Sequence, residues 1–221
     1  MRPAFLIASA GLLAAGAWLL MRREQEAADL WASAVQAGEG IAEEVTEAAE
    51  TIIDTITMRL DLSKMRTVTA ADVAHPNVRA LVAVIRRGEG TAGEDGYRTL
   101  FGGGLFTSFA DHPRQRITRM LGGKPITSTA AGAGQFLAST WDETARIMGL
   151  TDFTPASQDR AIVGRIAARG ALDDAKAGRV DLALQKIARE WASMPGSPYG
   201  QPVISLATAR GVFASAGGTF A

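Results

Sequence analysis

The 221-residue chain balances 23 basic against 23 acidic side chains, is 47% hydrophobic, and holds two histidines and no cysteine. Lack of cysteine excludes a disulfide framework, a thiol nucleophile and a thiolate metal site. His75 and His112, each followed by proline, are a poor basis for a zinc hydrolase or for a Ser-His-Asp triad.

Residues 3–21, PAFLIASAGLLAAGAWLLM, form an uncharged apolar run bounded by Arg2 and by Arg22 and Arg23. As a helix the run spans about 28 Å, close to one bilayer core, so a transmembrane anchor is expected over residues 1–23. No small-x-small cleavage site precedes MRREQEAADLW, which argues against a removed signal peptide. Residues 24–74 follow as an acidic, alanine-rich stalk and linker. Leu30, Ala34, Val35, Ile41, Val45, Ile52 and Ile56 recur there at helical spacing, with a break at Gly38 and Gly40. Such a stalk could pack on itself, on a helical partner or on the rest of the chain. Charge is divided along the chain: residues 22–74 hold 5 basic and 11 acidic side chains, a net of −6. Residues 75–221 hold 17 and 12, a net of +5 without Lys/Arg runs. That favours an anionic polymer or surface and does not point to nucleic acid.

Residues 75–221 read as a mainly helical α+β domain. HPNVRALVAVIRRGEG places Val78, Leu81, Val82 and Ile85 on one helical face, stopped by Gly88 and Gly90. YRTLFGGGLFTSF divides two aromatic-rich runs with three glycines, which predicts a small hairpin at that point. GQFLASTWDETARIMG predicts a helix with Phe136, Leu137, Trp141, Ala145 and Met148 in register and Gly149 as its stop. FTPASQDRAIVGRIAARG predicts a helix with Thr154 as N-cap, Pro155 at its first position and its end at Gly170. RVDLALQKIAREWASMPG puts Leu184, Ile187 and Trp191 on one stripe, and PVISLATARGVFASAGG supplies a weaker last helix.

The tripeptide GEG occurs twice. Glu39 lies in the stalk, without aromatic or polar partners nearby, and is expected to be solvated. Glu89 closes a helix, where the partial negative charge of the helix C-terminus raises a carboxyl pKa. Shielded by apolar neighbours as well, such a group stays protonated near neutral pH and serves as a general acid. On spacing alone, a solvated glutamate in a helix-ending turn is the simpler account.

The wider pattern changes that. GEGT, GYRTLFGGGLFTSFADHPR, STAAGAGQFLASTWD, DFTPASQDRAIVGRIAARGAL and WASMPGSPYGQP, in this order over residues 77–218, resemble the lambdoid-phage endolysin family of peptidoglycan lytic transglycosylases. The resemblance implies a lysozyme-like fold, no cofactor, and cleavage between N-acetylmuramic acid and N-acetylglucosamine in peptidoglycan glycan strands. It implies Glu89 as the single catalytic acid, acting twice while the muramoyl 6-hydroxyl closes on the anomeric carbon to leave a 1,6-anhydro end. Gln135 matches the glutamine of the family's loop motif and Tyr97 and Tyr199 match family tyrosines, which makes the three candidates for binding substrate; each also has an ordinary structural account. Trp141 and Trp191 read as core, and residues 111–114, DHPR, as a turn in which Arg114 could meet peptide-stem carboxylates. The chain departs from the family at Gly134, where many relatives carry an aromatic. Glu94, Asp95 and Asp111 are the candidates for a second carboxylate, which would make the protein a hydrolytic muramidase instead. A non-catalytic wall-binding virion module is the remaining alternative. The setting implied is a membrane-anchored enzyme facing the periplasm or cell wall, or a virion-associated one.

Overall fold

The computed structural model describes residues 60–121, 124–200 and 202–221. The apolar run at 3–21 and the acidic stretch at 24–59 lie outside the described residues. Among those described, no helix is long and apolar enough to cross a membrane.

Helices α1 (Ala70–Ala74) and α2 (Pro76–Gly88) open the domain, and β1 (Ile117–Leu121) and β2 (Lys124–Ser128) form a two-stranded antiparallel sheet. Then follow α3 (Ala138–Met148), α4 (Pro155–Ala168), α5 (Leu172–Lys176), α6 (Val180–Ile187) and α7 (Leu206–Ser215). The result is a mainly helical α+β domain. Helix α2 packs against α1, α4, α5 and α7, and α4 packs against α1, α2, α3 and α5, so these two helices form the centre. Val78, Leu81 and Ile85 on α2 meet Ile162 and Ile166 on α4 within one buried cluster that also takes in Phe153, Trp141 and Phe213. All are sealed from water, and burial of each such side chain contributes about 1.5–3 kcal/mol.

The caps agree with the sequence. Thr154 accepts the Ser157 amide at the start of α4 with Pro155 next to it, and Gly149 ends α3 in the left-handed region at φ 65°. His75 caps α2, its Nδ1 accepting from the Asn77 amide at 3.3 Å.

Other elements depart from expectation. The three glycines of YRTLFGGGLFTSF close only an isolated bridge between Thr99 and Leu105; the paired strands lie later, at ITRML and KPITS. Phe136 and Leu137 precede α3, and Phe136 instead bridges Ala131. Helix α6 stops at Ile187, so Trp191 lies beyond it, although buried as expected. The stretch read as a linker before residue 75 is folded onto the domain. Met65 and Val68 enter the core, Thr69 and Asp72 make a reciprocal capping box, and Lys176 Nζ bonds Asp72 at 2.7 Å.

Candidate active site

Glu89 is the C-cap of α2, with φ −74° and ψ −4°, and its amide donates to Ile85 O at 2.9 Å. The apolar stripe of α2 faces the core, so the helix end is carried inward and Glu89 retains only 4% exposure. Gly88 makes this possible: a Cβ there would stand 2.2 Å from Met194 Cε and 2.6 Å from Ser193 Oγ. Because it has none, the segment around Ser193 closes on the helix end, and Ser193 Oγ donates to Glu89 Oε1 at 2.5 Å. Burial pushes the Glu89 carboxyl up to about 8, against the opposing pull of the Ser193 hydroxyl. At neutral pH it holds its proton.

The following loop is pinned from both sides. Arg86, three residues before Glu89, donates through Nε and Nη2 to Thr91 O at 3.2 and 2.9 Å and through Nη2 to Gly93 O at 3.1 Å. Its guanidinium also lies 4.4 Å from the centre of the Tyr97 ring. Thr91 Oγ1 donates to Ala133 O at 2.6 Å, which fastens the Glu89 loop to the glycine-rich loop at 130–135. That loop hangs on Gln158 of α4, which is fully buried. Gln158 Oε1 accepts from Ala133 N at 2.7 Å, and its Nε2 donates to Tyr97 O at 3.0 Å and Phe153 O at 2.7 Å. Gly132, at φ 75°, leaves the space this requires, since a Cβ would fall 2.3 Å from Gln158 Oε1.

These ties bring together the segments that carry Glu89, Tyr97 and Gln135. The phenol of Tyr97 donates to the Asp159 carboxylate, 2.9 and 3.0 Å from its two oxygens. Burial first, and the Asp159 charge second, push that phenol up to about 12. Gln135, at φ 46°, donates its amide nitrogen to Thr99 O and Gly132 O at 3.0 and 2.9 Å, so that group braces the loop. Tyr199 lies on another segment; it is buried and its hydroxyl donates to Arg189 O at 2.9 Å. A side chain at Gly134 would press on Ile162 and Phe136, each 2.9 Å from the Cβ position, and Gly134 O accepts from Trp191 Nε1 at 3.1 Å.

None of the second-carboxylate candidates hydrogen-bonds Glu89 or shifts its carboxyl. Glu94 and Asp95 are exposed in the 3-10 turn Glu94–Arg98. Asp111 accepts from the His112 amide at 2.7 Å, Trp141 Nε1 at 3.2 Å and Arg114 Nη2 at 2.9 Å. Burial raises its pKa, but these donors outweigh burial and hold it below the usual carboxylate range. Arg114 also bonds Asp142 at 2.7 Å, so DHPR is a stapled turn. His112 is buried in the same turn, with Nε2 donating to Phe136 O at 2.8 Å and Nδ1 accepting from the Arg114 amide at 3.1 Å. No cluster of three metal-binding side chains exists among the described residues. A pocket of about 630 Å³ between Gly178–Leu182, Arg210 and Phe220 contains none of these groups, and its charged side chains are about half exposed. Glu89, Tyr97 and Gln135 all lie outside that pocket.

Ser193, Arg86, Gln158 and Asp159 had no assigned place in the sequence reading. Ser193 and Gln158 lie inside motifs that carry the family resemblance, but each meets its partner across a long separation, 104 residues for Ser193 and Glu89.

The chain is similar to known proteins in both sequence and fold. An endolysin of Escherichia phage P2 is 36% identical over 156 residues, 65% of this chain and 94% of the relative. An endolysin of Escherichia phage lambda is 40% identical over 124 residues, 56% of this chain and 77% of the relative. Among solved structures, bacteriophage lambda lysozyme complexed with a chitohexasaccharide superposes with a TM-score of 0.62 at 36% identity, over 66% of this chain and 97% of that one. A second structure of lysozyme from bacteriophage lambda gives 0.58 at 35% identity, with the same coverage. Residues 79–220 match the protein family described as Endolysin, and the chain belongs to that family.

Proposed function

We propose that the protein is a peptidoglycan lytic transglycosylase with Glu89 as its single catalytic acid and base. The observation that carries this reading is the geometry of Glu89, a buried carboxyl that meets no charged side chain and is bonded only to a neutral hydroxyl, so that burial raises its pKa. As the bond from muramoyl C1 to the glycosidic oxygen breaks, Glu89 gives its proton to that oxygen. The 6-hydroxyl oxygen of the same muramoyl unit bonds C1, and its proton returns to Glu89. Atoms balance without water, and the tethered hydroxyl supplies the proximity that a second carboxylate would otherwise provide. The sugar ligand of the lambda lysozyme structure supports a glycan strand as substrate. Tyr97, Gln135 and Tyr199 would shape its groove from bonded, pre-set positions. The apolar run at 3–21 would hold the enzyme at a membrane, facing the wall polymer.

Digestion of purified peptidoglycan by the full chain tests the reaction, with mass analysis of the products. Chains ending in 1,6-anhydromuramic acid are expected, each lighter by one water than its hydrolytic counterpart. Reducing muramoyl ends would make the protein a hydrolytic muramidase. No release of muropeptides would leave a wall-binding module.

A further inference from the structure

Glu89 offers two carboxyl oxygens, and the structure treats them differently. Oε1 accepts the Ser193 hydroxyl at 2.5 Å, both residues being buried. Oε2 has no hydrogen-bond partner among the described residues. It is nevertheless not sealed, since Arg169 Nη1 is the one fully buried side-chain polar atom left unpaired among them. Ser193 itself is fixed. Its carbonyl accepts from Ile204 N at 2.9 Å, Met194 N bonds Trp191 O at 3.0 Å, and Trp191 Nε1 reaches Gly134 O. Just upstream, Glu190 is gripped by Arg165 Nε at 2.6 Å and Arg169 Nε at 2.9 Å.

We infer that Ser193 is the positioning residue of the acid: by donating to Oε1 it makes that oxygen the carbonyl-like one and assigns the transferable proton to Oε2, which faces the glycan. The reason is the asymmetry of a neutral carboxyl group. Its carbonyl oxygen is the good acceptor and its hydroxyl oxygen the donor, so a fixed donor on Oε1 leaves the proton on the other oxygen. The bond also stops rotation of the carboxyl group about its last torsion, which is otherwise broad. The proton leaves from Oε2 and returns to Oε2, while Oε1 keeps its hydroxyl partner through both transfers. Without this donor the two oxygens would share the proton and the group would be free to turn away. Charged side chains add nothing here: burial and the Ser193 hydroxyl are the two influences on Glu89. The inference rests on the role of Glu89 proposed above.

Ser193→Ala removes one oxygen and crowds nothing. With the full chain on purified peptidoglycan, kcat is expected to fall roughly 10- to 100-fold while KM changes little. The alkaline limb of the activity profile should move to higher pH, because a donor that favours the carboxylate has gone. A purely structural role would lower activity without moving the limb, and that outcome overturns the inference, as does wild-type kcat. Ser193→Cys, similar in volume but a weak donor, is the second variant if the alanine form fails to fold, and the same two changes are expected of it. Glu89→Gln assayed alongside separates the claims. If it stays active, the reading of Glu89 falls; if it is inactive while Ser193→Ala behaves as wild type, only the role of Ser193 falls.

Discussion

Glu89 and Asp159 are the two carboxyl groups among the described residues in which burial outweighs every opposing influence and leaves the pKa raised, and only Asp159 has cationic neighbours, Arg86 and Arg79, opposing the rise. A proton donor must keep its proton at working pH, so activity is expected to hold through neutrality and decline as pH rises through about 8. Glu89→Gln keeps the shape and removes the acid; a loss of roughly 100-fold or more in wall-lysis rate is expected. The same shift has a consequence for stability. The folded-state value of about 8 lies above the ordinary 4.5, so between these the native state binds one more proton than the unfolded chain. This group's contribution is full below pH 4.5, is lost by about 1.4 kcal/mol per unit as pH rises to 8, and is flat beyond. Denaturant midpoints of wild type and Glu89→Gln across that window check this: the wild-type curve should slope more steeply downward with pH.

Between elements, the segment after α6 depends on buried charge. Arg165 is nearly sealed and bonds both Glu143 and Glu190, and Arg169 completes the grip on Glu190. Burial alone would raise the Glu190 carboxyl, but the two guanidinium groups more than reverse this and hold it below its ordinary range. Glu190→Ala leaves Arg165 without its buried partner. A loss of about 3–5 kcal/mol is expected, measured by urea unfolding, with reduced activity because Ser193 lies three residues on. Helices of this kind were legible where local chemistry marks them: Thr154 with Pro155 opens α4, and Gly149 closes α3. The hairpin was not. Thr118, Arg119 and Met120 are all exposed, so little burial imposes an alternating pattern on ITRML; KPITS does alternate, but of its two buried residues, Ile126 and Ser128, only one is apolar. The glycine triplet at 102–104 gave the stronger turn signal and closes a loop only. The end of α6 at Ile187 was hidden for a related reason, since Trp191 is buried beyond the helix and kept the apolar spacing going.

Across the whole molecule, ties of long separation hold the domain together, and these a single sequence does not display. Asn77, buried at the start of α2, donates to Lys176 O at 3.1 Å and accepts from Thr219 N at 2.8 Å. It thereby joins α2, the end of α5 and the C-terminal segment. Asn77→Ala breaks these bonds at once and should lower stability by about 1–3 kcal/mol per backbone group left buried and unpaired, read as a lower thermal midpoint. Family motifs let the sequence single out Glu89, because that resemblance carries a spatial arrangement with it. They did not reveal why the residue keeps its proton at neutral pH, which follows from burial that outweighs the Ser193 hydroxyl, with Gly88 admitting Ser193 and Met194 from the far end of the chain. The most direct measurement is an NMR titration of the Glu89 side-chain carboxyl carbon in the folded protein. A midpoint near 8 is expected, and it should move further up in Ser193→Ala; a midpoint near 4.5 would mean an ordinary solvated carboxylate and would contradict the account.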